Sequence, residues 1–141
     1  MLVDTEGLLL AVLVLAADIS DRDGAVLLLR LSYAAYPDLR HLWGASHYGG
    51  DLPGAVRSDY GIVLEVVTKP TGQEGFVPLP KRWIVERSLA WFSHCRRLAR
   101  DYERNPAYSE AWLYVAAIHR LLKQLAPDRS APVPYQRREI A

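Results

Sequence analysis

One predicted helix carries the residues of this chain that are best able to do chemistry. Hydrophobic residues recur at steps of three, four or seven across residues 81–103, which predicts a long helix with a single buried stripe. At about 100° per residue, four arginines fall within roughly 40° of Glu86 on the opposite, polar face. Those arginines are Arg82, Arg97, Arg100 and Arg104, and the stripe consists of Val85, Leu89, Phe92, Ala99 and Tyr102.

The polar face of this helix is strongly cationic compared with the rest of the chain. Residues 81–104 contain seven lysines and arginines against three acidic residues, whereas the whole chain has a formal net charge of +1. Arginine is the residue expected where phosphate groups are bound through two parallel hydrogen bonds. An exposed face joined by ion pairs four residues apart, such as Arg82 with Glu86 and Arg97 with Asp101, explains the same spacing. Composition leaves both interpretations open.

The totals limit the size and the compartment of the protein. The 141 residues suffice for one domain, and 50% of them are hydrophobic, which allows a real core. Lysine and arginine nearly balance the acidic residues, so overall charge does not predict a nucleic-acid binder. The single cysteine, Cys95, excludes an internal disulfide and suits a reducing cytoplasm. The apolar run at residues 8–17 is about half the length of a membrane-spanning helix, so we expect a buried strand and no membrane partner.

Local patterns predict an alternation of strands and helices. Asp21 is expected to cap a helix that begins near residue 22, and Gly61 is expected to end a short helix. The predicted strands cover residues 3–10, 11–16, 39–43 and 62–68, and the predicted helices cover residues 22–36, 52–60, 81–103 and 108–125.

This order of elements describes an α/β domain over residues 1–126 with a mixed sheet. A leading hairpin followed by alternating strands and helices fits a ribonuclease H-like topology that lacks its first strand and ends in two helices. Residues 70–80 contain two glycines and three prolines and are predicted to form a surface loop. Residues 127–141 are predicted to form a disordered tail.

Several segments resemble, in the same order, the transposases of the bacterial insertion-sequence family five. Residues 81–92 read KRWIVERSLAWF and residues 95–103 read CRRLARDYE, similar to the family signature RRWVVERTFAWL followed by CRRL and DYE. Upstream, VDTEGL at residues 3–8 and AADISDRDGA at residues 16–25 are similar to VDTxGL and AANVHDRDGA. The resemblance extends over residues 2–126, which makes it far more specific than one short motif.

The resemblance implies a DDE transposase, in which three carboxylates hold two divalent ions, usually Mg²⁺. One ion activates water or a DNA 3′-hydroxyl, and the other stabilises the leaving oxygen. Glu86 matches the third carboxylate of the family, and Arg82 matches the supporting arginine four residues earlier. DNA is the partner that the resemblance implies, and the contacts expected with its phosphates come from Arg82, Arg97, Arg100 and Arg104.

Two of the three carboxylates of that pattern are missing from this chain. WGASHY at residues 43–48 stands where the family has WADxGY, so Ala45 occupies the position of the second aspartate. The first aspartate of the family lies upstream of the segment that resembles VDTxGL, and Asp4 does not replace it. Because the chain begins directly on a predicted core strand, we expect that N-terminal sequence is missing.

The nearest substitutes for the missing carboxylates are weak candidates. His47 lies two residues past Ala45, but imidazole is a poor ligand for Mg²⁺. Asp51 is expected on the next helix rather than at the strand end. The sequence therefore predicts a truncated, cytoplasmic transposase that binds no metal and does not cleave DNA. A non-enzymatic DNA-binding or regulatory remnant that pairs with a full-length transposase is the alternative.

Overall fold

Two small sheets and four α-helices form the parts of the chain that the computed structural model describes, residues 1–68, 72, 81 and 83–126. The predicted α/β class is therefore confirmed. The predicted loop, Gly72 apart, and the predicted tail lie outside the described residues. In chain order the elements are β1 (Leu2–Val3), β2 (Leu9–Ala11), α1 (Asp21–Ser32), β3 (His41–Ala45), α2 (Leu52–Tyr60), β4 (Val63–Val67), α3 (Trp83–Ser93) and α4 (Pro106–Leu125).

The predicted hairpin is present as the antiparallel pair of β1 and β2. Asp4 builds its turn, because its Oδ1 accepts hydrogen bonds from the backbone N–H groups of Glu6 (2.9 Å) and Leu8 (2.8 Å). Gly7 has a φ of 80°, a left-handed conformation that glycine adopts without steric cost. The carboxylate of Asp4 therefore stabilises the turn.

The second sheet pairs β3 with β4 in parallel, with α2 as the connection between them. Pro53 stands in the first turn of α2, where its missing N–H costs nothing, and Gly61 ends the helix at a φ of 67°. Both bounds of α2 match the prediction. The main core cluster lies under this unit and consists of Leu29, Leu52, Val56 and Ile62.

The prediction of one mixed sheet is wrong for the described residues, because the strands form two separate pairs. The predicted bounds of the first two strands are wrong as well, because residues 4–8 form the turn between β1 and β2, and residues 12–16 are not in a strand. β2 ends at Ala11, since side chains of α4 take the backbone donors that follow it. The N–H of Val14 donates to Oε1 of Glu110 (2.9 Å), and the N–H of Val12 donates to the hydroxyl oxygen of Tyr114 (3.4 Å). The side chains of Glu110 and Tyr114 thus accept the hydrogen bonds that the carbonyl groups of a neighbouring strand would accept in a sheet.

The long helix predicted at residues 81–103 is also wrong in extent, because α3 ends at Ser93. The chain then turns through short bonds from Cys95 N to the Phe92 carbonyl (2.9 Å) and from Leu98 N to the Cys95 carbonyl (2.8 Å). Farther on, Oδ1 of Asp101 accepts from the backbone N–H of Glu103, which offers the chain an alternative to a helix. The predicted buried stripe is accordingly broken.

The broken stripe shows in the burial of its members. Phe92 is buried, whereas Leu89 and Tyr102 are 53% and 61% exposed.

The first residues of α1 and α4 differ from the predicted ones because other residues cap these helices. Ser20, not Asp21, caps α1 by accepting from the Asp23 N–H, and Asn105 caps α4 by accepting from the Ala107 N–H.

A buried hydroxyl attaches α3 to the β1–β2 turn. Ser88 is fully buried, and its Oγ donates to the carbonyl of Gly7 at 2.7 Å, with the Ile84 carbonyl of its own helix at 3.0 Å. The guanidinium of Arg87 donates to the adjacent Glu6 carbonyl at 2.8 Å. A Cβ added at Gly7 would lie only 2.7 Å from Ser88 Oγ. The absence of a side chain at Gly7 is therefore what allows α3 to approach.

Gly7→Ala should destabilise the protein through both its backbone conformation and this close approach. A left-handed non-glycine residue costs about 1–2 kcal/mol, and the displacement of Ser88 adds to that cost. Gly54→Ala is the matched control, because a Cβ there meets nothing within 4 Å and the residue lies in α2. Urea denaturation should show a loss of at least ~1 kcal/mol for Gly7→Ala and a neutral or slightly stabilising effect for Gly54→Ala. Equal effects of the two substitutions would contradict this description of the turn.

Candidate active site

A cleft of about 600 Å³ opens at the carboxyl ends of the parallel strands. The last residues of β3 and β4, Ala45 and Val67, both line it, as do the start of α1 and the first turn of α3. The carboxyl ends of parallel strands are where α/β proteins commonly bind ligands. The polar side chains on its walls include Asp21, His47, Tyr48, Lys81 and Glu86.

Ala45 and Glu86 line this same cleft. Ala45 is the last residue of β3 and pairs with Val67, and a short 3-10 turn at Ser46–Tyr48 follows it. Glu86 lies in the first turn of α3 and is exposed to solvent. The two residues are thus neighbours of one cavity, although they are 41 positions apart in the sequence. Their roles in the family pattern remain predictions.

Asp21 is a cleft residue that the sequence analysis assigned only to helix capping. Its Oδ2 lies 3.5 Å from Nε2 of His47, and the rings of His47 and Tyr48 are 4.1 Å apart. Burial, and after it the negative charge of Asp21, raises the pKa of Tyr48. The signal that could have found Asp21 was its place in the segment AADISDRDGA, which resembles a motif of the family and leads into a helix.

Asp51 pairs with Arg22 instead of facing the cleft residues. The carboxylate accepts a hydrogen bond from the Arg22 guanidinium, and this bond is the main cause that lowers the pKa of Asp51. Asp51 lies at the start of α2, as expected from the sequence. The ion pair connects α1 to α2. Asp51 therefore does not replace the carboxylate missing at residue 45.

An aromatic and cationic cluster forms one rim of the cleft. The Nζ of Lys81 lies 3.5 Å from the ring centroid of Trp43, and the His41 ring stacks on Trp43 with centroids 4.4 Å apart. Oε2 of Glu65 accepts from Nε1 of Trp43 (3.1 Å) and lies 3.0 Å from Nε2 of His41. Lys81 and Trp43 also line the cleft. A positive charge is therefore held at the rim by a cation–π contact.

The arginines predicted on one helix face do not share a helix. Arg82 lies outside the described residues. Arg97, Arg100 and Arg104 follow the end of α3 and lie exposed on the segment that leads to α4. Arg97 is held by Oε1 of Glu103 at 2.7 Å and lies 5.4 Å from the Trp112 ring, so the predicted pair with Asp101 is wrong. The DNA-contacting role of these arginines stays a prediction.

The donor groups of the cleft do not fit a two-metal centre. Within residues 1–68, 72, 81 and 83–126, no group of three or more His, Cys, Asp or Glu side chains stands close enough to hold a metal ion. Glu86 and Asp21 bring two carboxylates to the walls, but Asp21 pairs with His47 and Ala45 offers no donor. Cys95 is a free, half-buried thiol on the turn after α3.

The family model described as "Transposase DDE domain" matches residues 1–121. The chain belongs to the transposase DDE domain family. Membership indicates a role in DNA transposition, DNA as the general kind of partner, and a family chemistry that generally uses divalent metal. No curated protein and no solved structure matches the chain.

In the described part of the transposase domain, no helix combines the length and the apolar character needed to cross a membrane.

The Arg22–Asp51 pair should make stability depend on pH in a defined direction. The folded-state pKa of Asp51 is lowered, so its contribution is present above the ordinary aspartate pKa and is lost as the pH falls through the folded value. Asp51→Asn should therefore have a lower Tm than the unchanged protein at neutral pH. This gap should begin to narrow below about pH 4 and then close.

Asp59→Asn is the control for the Asp51 substitution, because it removes the same charge from an exposed position of the same helix. It should not lower the Tm at neutral pH. A gap between the Asp51→Asn variant and the unchanged protein that stays constant down to strongly acidic pH would contradict the pairing.

Proposed function

We propose that this chain is a catalytically inactive transposase domain of the insertion-sequence family-five type, with a ribonuclease H-like arrangement and a weak, sequence-independent affinity for DNA. The observation that carries the proposal is the cleft shared by Ala45 and Glu86. It supports the assignment of both positions to the acidic site that the resemblance implies, in which Ala45 takes the position of the second, metal-bridging aspartate. We also propose that the protein acts in the cytoplasm, because its single cysteine, Cys95, is free.

The chemistry of phosphodiester cleavage explains why one alanine is sufficient for inactivity. Two divalent ions must be held a few ångströms apart, one at the attacking and one at the leaving oxygen. Mg²⁺ takes oxygen ligands, and the protein normally supplies them as carboxylates. A methyl group at residue 45 supplies none, and Glu86 alone supplies at most two of the oxygen ligands that two ions require. His47 does not compensate, because imidazole is a poor Mg²⁺ ligand and here faces Asp21.

Exposed cations at the cleft rim and on the segment after α3 support a residual affinity for DNA. Lys81 stands at the rim, and Arg97, Arg100 and Arg104 lie exposed beyond the end of α3. Arg82, which lies outside the described residues, matches the supporting arginine of the resemblance. Contacts from these groups would be with phosphates, and contacts with phosphates fix position without reading sequence.

A regulatory role through pairing with a full-length transposase is the second candidate. It is favoured by the two-stranded sheets, because every strand of a two-stranded sheet is an edge strand. Unpaired edges offer backbone donors and acceptors to a strand of another chain. Co-purification of this chain with an active family member, and inhibition of that member's activity, would distinguish regulation from simple inactivity.

The proposal predicts no Mg²⁺- or Mn²⁺-dependent nicking or strand transfer on transposon-end DNA. Ala45→Asp in this polypeptide should not restore activity, because only two of the three carboxylates of the resemblance would then be present. Glu86→Gln is the control for activity that arises at the proposed site. Metal-dependent cutting by the unchanged chain that Glu86→Gln abolishes would overturn the assignment.

The proposal also predicts DNA binding that weakens steeply with salt. Replacing Arg97 and Arg100 together by alanine should weaken binding and reduce the slope of log affinity against log salt by about two, since each phosphate contact contributes about 0.9. Arg30→Ala with Arg40→Ala is the charge-matched control, because both residues are exposed and lie outside the segment after α3. Equal losses for the two double variants would mean that the segment is an ordinary solvated surface.

A further inference from the structure

Two arginines from different helices contact one tryptophan ring where α3 meets α4. The guanidinium carbon of Arg120 on α4 lies 3.0 Å from the ring centroid of Trp91, and that of Arg87 on α3 lies 4.8 Å from the same centroid. Arg87 also lies 4.3 Å from the ring centroid of Trp83, one turn earlier in α3. Two positive charges are therefore held close together, and we name Arg87 and Arg120 the arginine pair.

The arginine pair has no counter-charge within the described part of the chain. No carboxylate there forms an ion pair with either guanidinium group. Burial, and after it the positive charge of Arg87, lowers the pKa of Arg120, although an arginine remains charged at neutral pH. Like charges without a counter-charge repel each other, and an anion between them relieves that repulsion. The electrostatics of this junction therefore favour an anionic ligand.

Both members of the pair also have hydrogen-bond donors that the domain does not use. The Nε–H of each arginine is buried and has no acceptor among the described residues. Arg87 donates through Nη2 to the Glu6 carbonyl (2.8 Å), whereas the described residues supply no acceptor for any N–H group of Arg120. A buried polar group without a partner is costly, and a bound ion is one of its usual partners.

The stacking of Arg120 on Trp91 leaves its donors available to such an ion. A guanidinium group over an aromatic ring uses its flat face, while its N–H groups point outward in its own plane. These N–H groups bind an oxyanion through two parallel hydrogen bonds. A phosphate monoester carries close to two negative charges at neutral pH and has three acceptor oxygens, so it matches two guanidinium groups. A carboxylate carries one charge and matches a single arginine.

We propose that the arginine pair binds a phosphate group in its doubly charged form, through N–H groups of both Arg87 and Arg120. The site is distinct from the cleft, which neither arginine lines, and from the exposed arginines that follow α3. Bound phosphate adds ion pairs across the junction of α3 and α4 to the contact that Trp91 already makes. This inference does not rest on the proposed function, since its first test involves no DNA.

The first test compares the Tm of the whole chain in low millimolar phosphate and in chloride of equal ionic strength. A ligand that binds only the folded state raises the Tm, so phosphate should raise it and chloride should not. Arg120→Gln should weaken phosphate binding about tenfold or more, because it removes a charged donor group. Lys123→Gln is the matched control, since it removes the same charge from an exposed position of α4. Equal Tm values in the two salts, or equal losses in the two variants, would overturn the proposal.

Arginine labelling tests the site in the unchanged protein, so the test does not depend on the folding of Arg120→Gln. Phenylglyoxal modifies accessible guanidinium groups, and mass spectrometry locates the modified residues. Inorganic phosphate should slow the labelling of the arginine pair and leave that of Arg30, an exposed residue of α1, unchanged. If phosphate leaves the labelling of the pair unchanged as well, no phosphate is bound there.

Two DNA duplexes distinguish the sources of the phosphate group. They have the same sequence and differ only in whether their ends carry a 5′-phosphate or a 5′-hydroxyl. Tighter binding of the phosphorylated duplex that Arg120→Gln abolishes would assign the site to the ends of DNA strands. Equal binding of both duplexes, together with protection by inorganic phosphate, would assign it to a free phosphate-bearing molecule. A chain that binds neither duplex would contradict the proposed function and leave the phosphate site standing.

Discussion

The hydrogen bond from Ser88 to the Gly7 carbonyl holds the helix that carries Glu86 against the first hairpin of the chain. It spans 81 positions in the sequence and attaches α3, which carries Glu86, to the hairpin turn at the start of the chain. Ser88 is fully buried at this contact, and a Cβ at Gly7 would lie only 2.7 Å from its Oγ, so the contact fixes which side of α3 faces the turn. Two residues earlier in the helix, about 200° around its axis, Glu86 points away from the turn. The position of the one matched carboxylate therefore depends on a glycine and a serine that have no chemistry of their own.

The parallel pair of β3 and β4 supplies the other wall of the cleft. Ala45 is the last residue of β3 and lines the cleft at the carboxyl end of the strand, where a polar side chain would reach a ligand. The strand and its pairing with Val67 need only the backbone of residue 45, so an alanine there preserves both. The fold is therefore compatible with either an alanine or a carboxylate at this position. Stability and chemistry are separable at this position.

Local sequence patterns predicted the elements whose limits are set locally. α2 has the predicted bounds and ends before Gly61 as expected, and α4 begins two residues before its predicted start, where Asn105 caps it. The patterns failed where distant side chains decide the outcome. Glu110 ends a predicted strand from 96 positions away, and the hydrogen bonds of Asp101 and Glu103 replace the last turns of a predicted helix.

The candidate site was likewise predicted only in part. The resemblance placed Ala45 and Glu86 in one site, and the structure brings them to one cleft, but Asp21 and Lys81 were not foreseen there. The helical wheel of the arginines assumed a helix that continues to residue 103, so their common face was lost with it. The burial of each apolar stripe also could not be predicted. Periodicity shows that apolar residues share one face of a helix, but not whether that face is turned toward the core or toward solvent.

Mn²⁺ binding, followed by electron paramagnetic resonance, tests most directly whether residue 45 and Glu86 share one site. The unchanged chain should show no Mn²⁺ binding that depends on Glu86, because residue 45 supplies no carboxylate and Asp21 pairs with His47. Ala45→Asp should create a Mn²⁺ site, and adding Glu86→Gln should remove it again. If Ala45→Asp binds Mn²⁺ no better than the unchanged chain, or if its binding is insensitive to Glu86→Gln, the two positions do not form one metal site and this account of the protein is wrong.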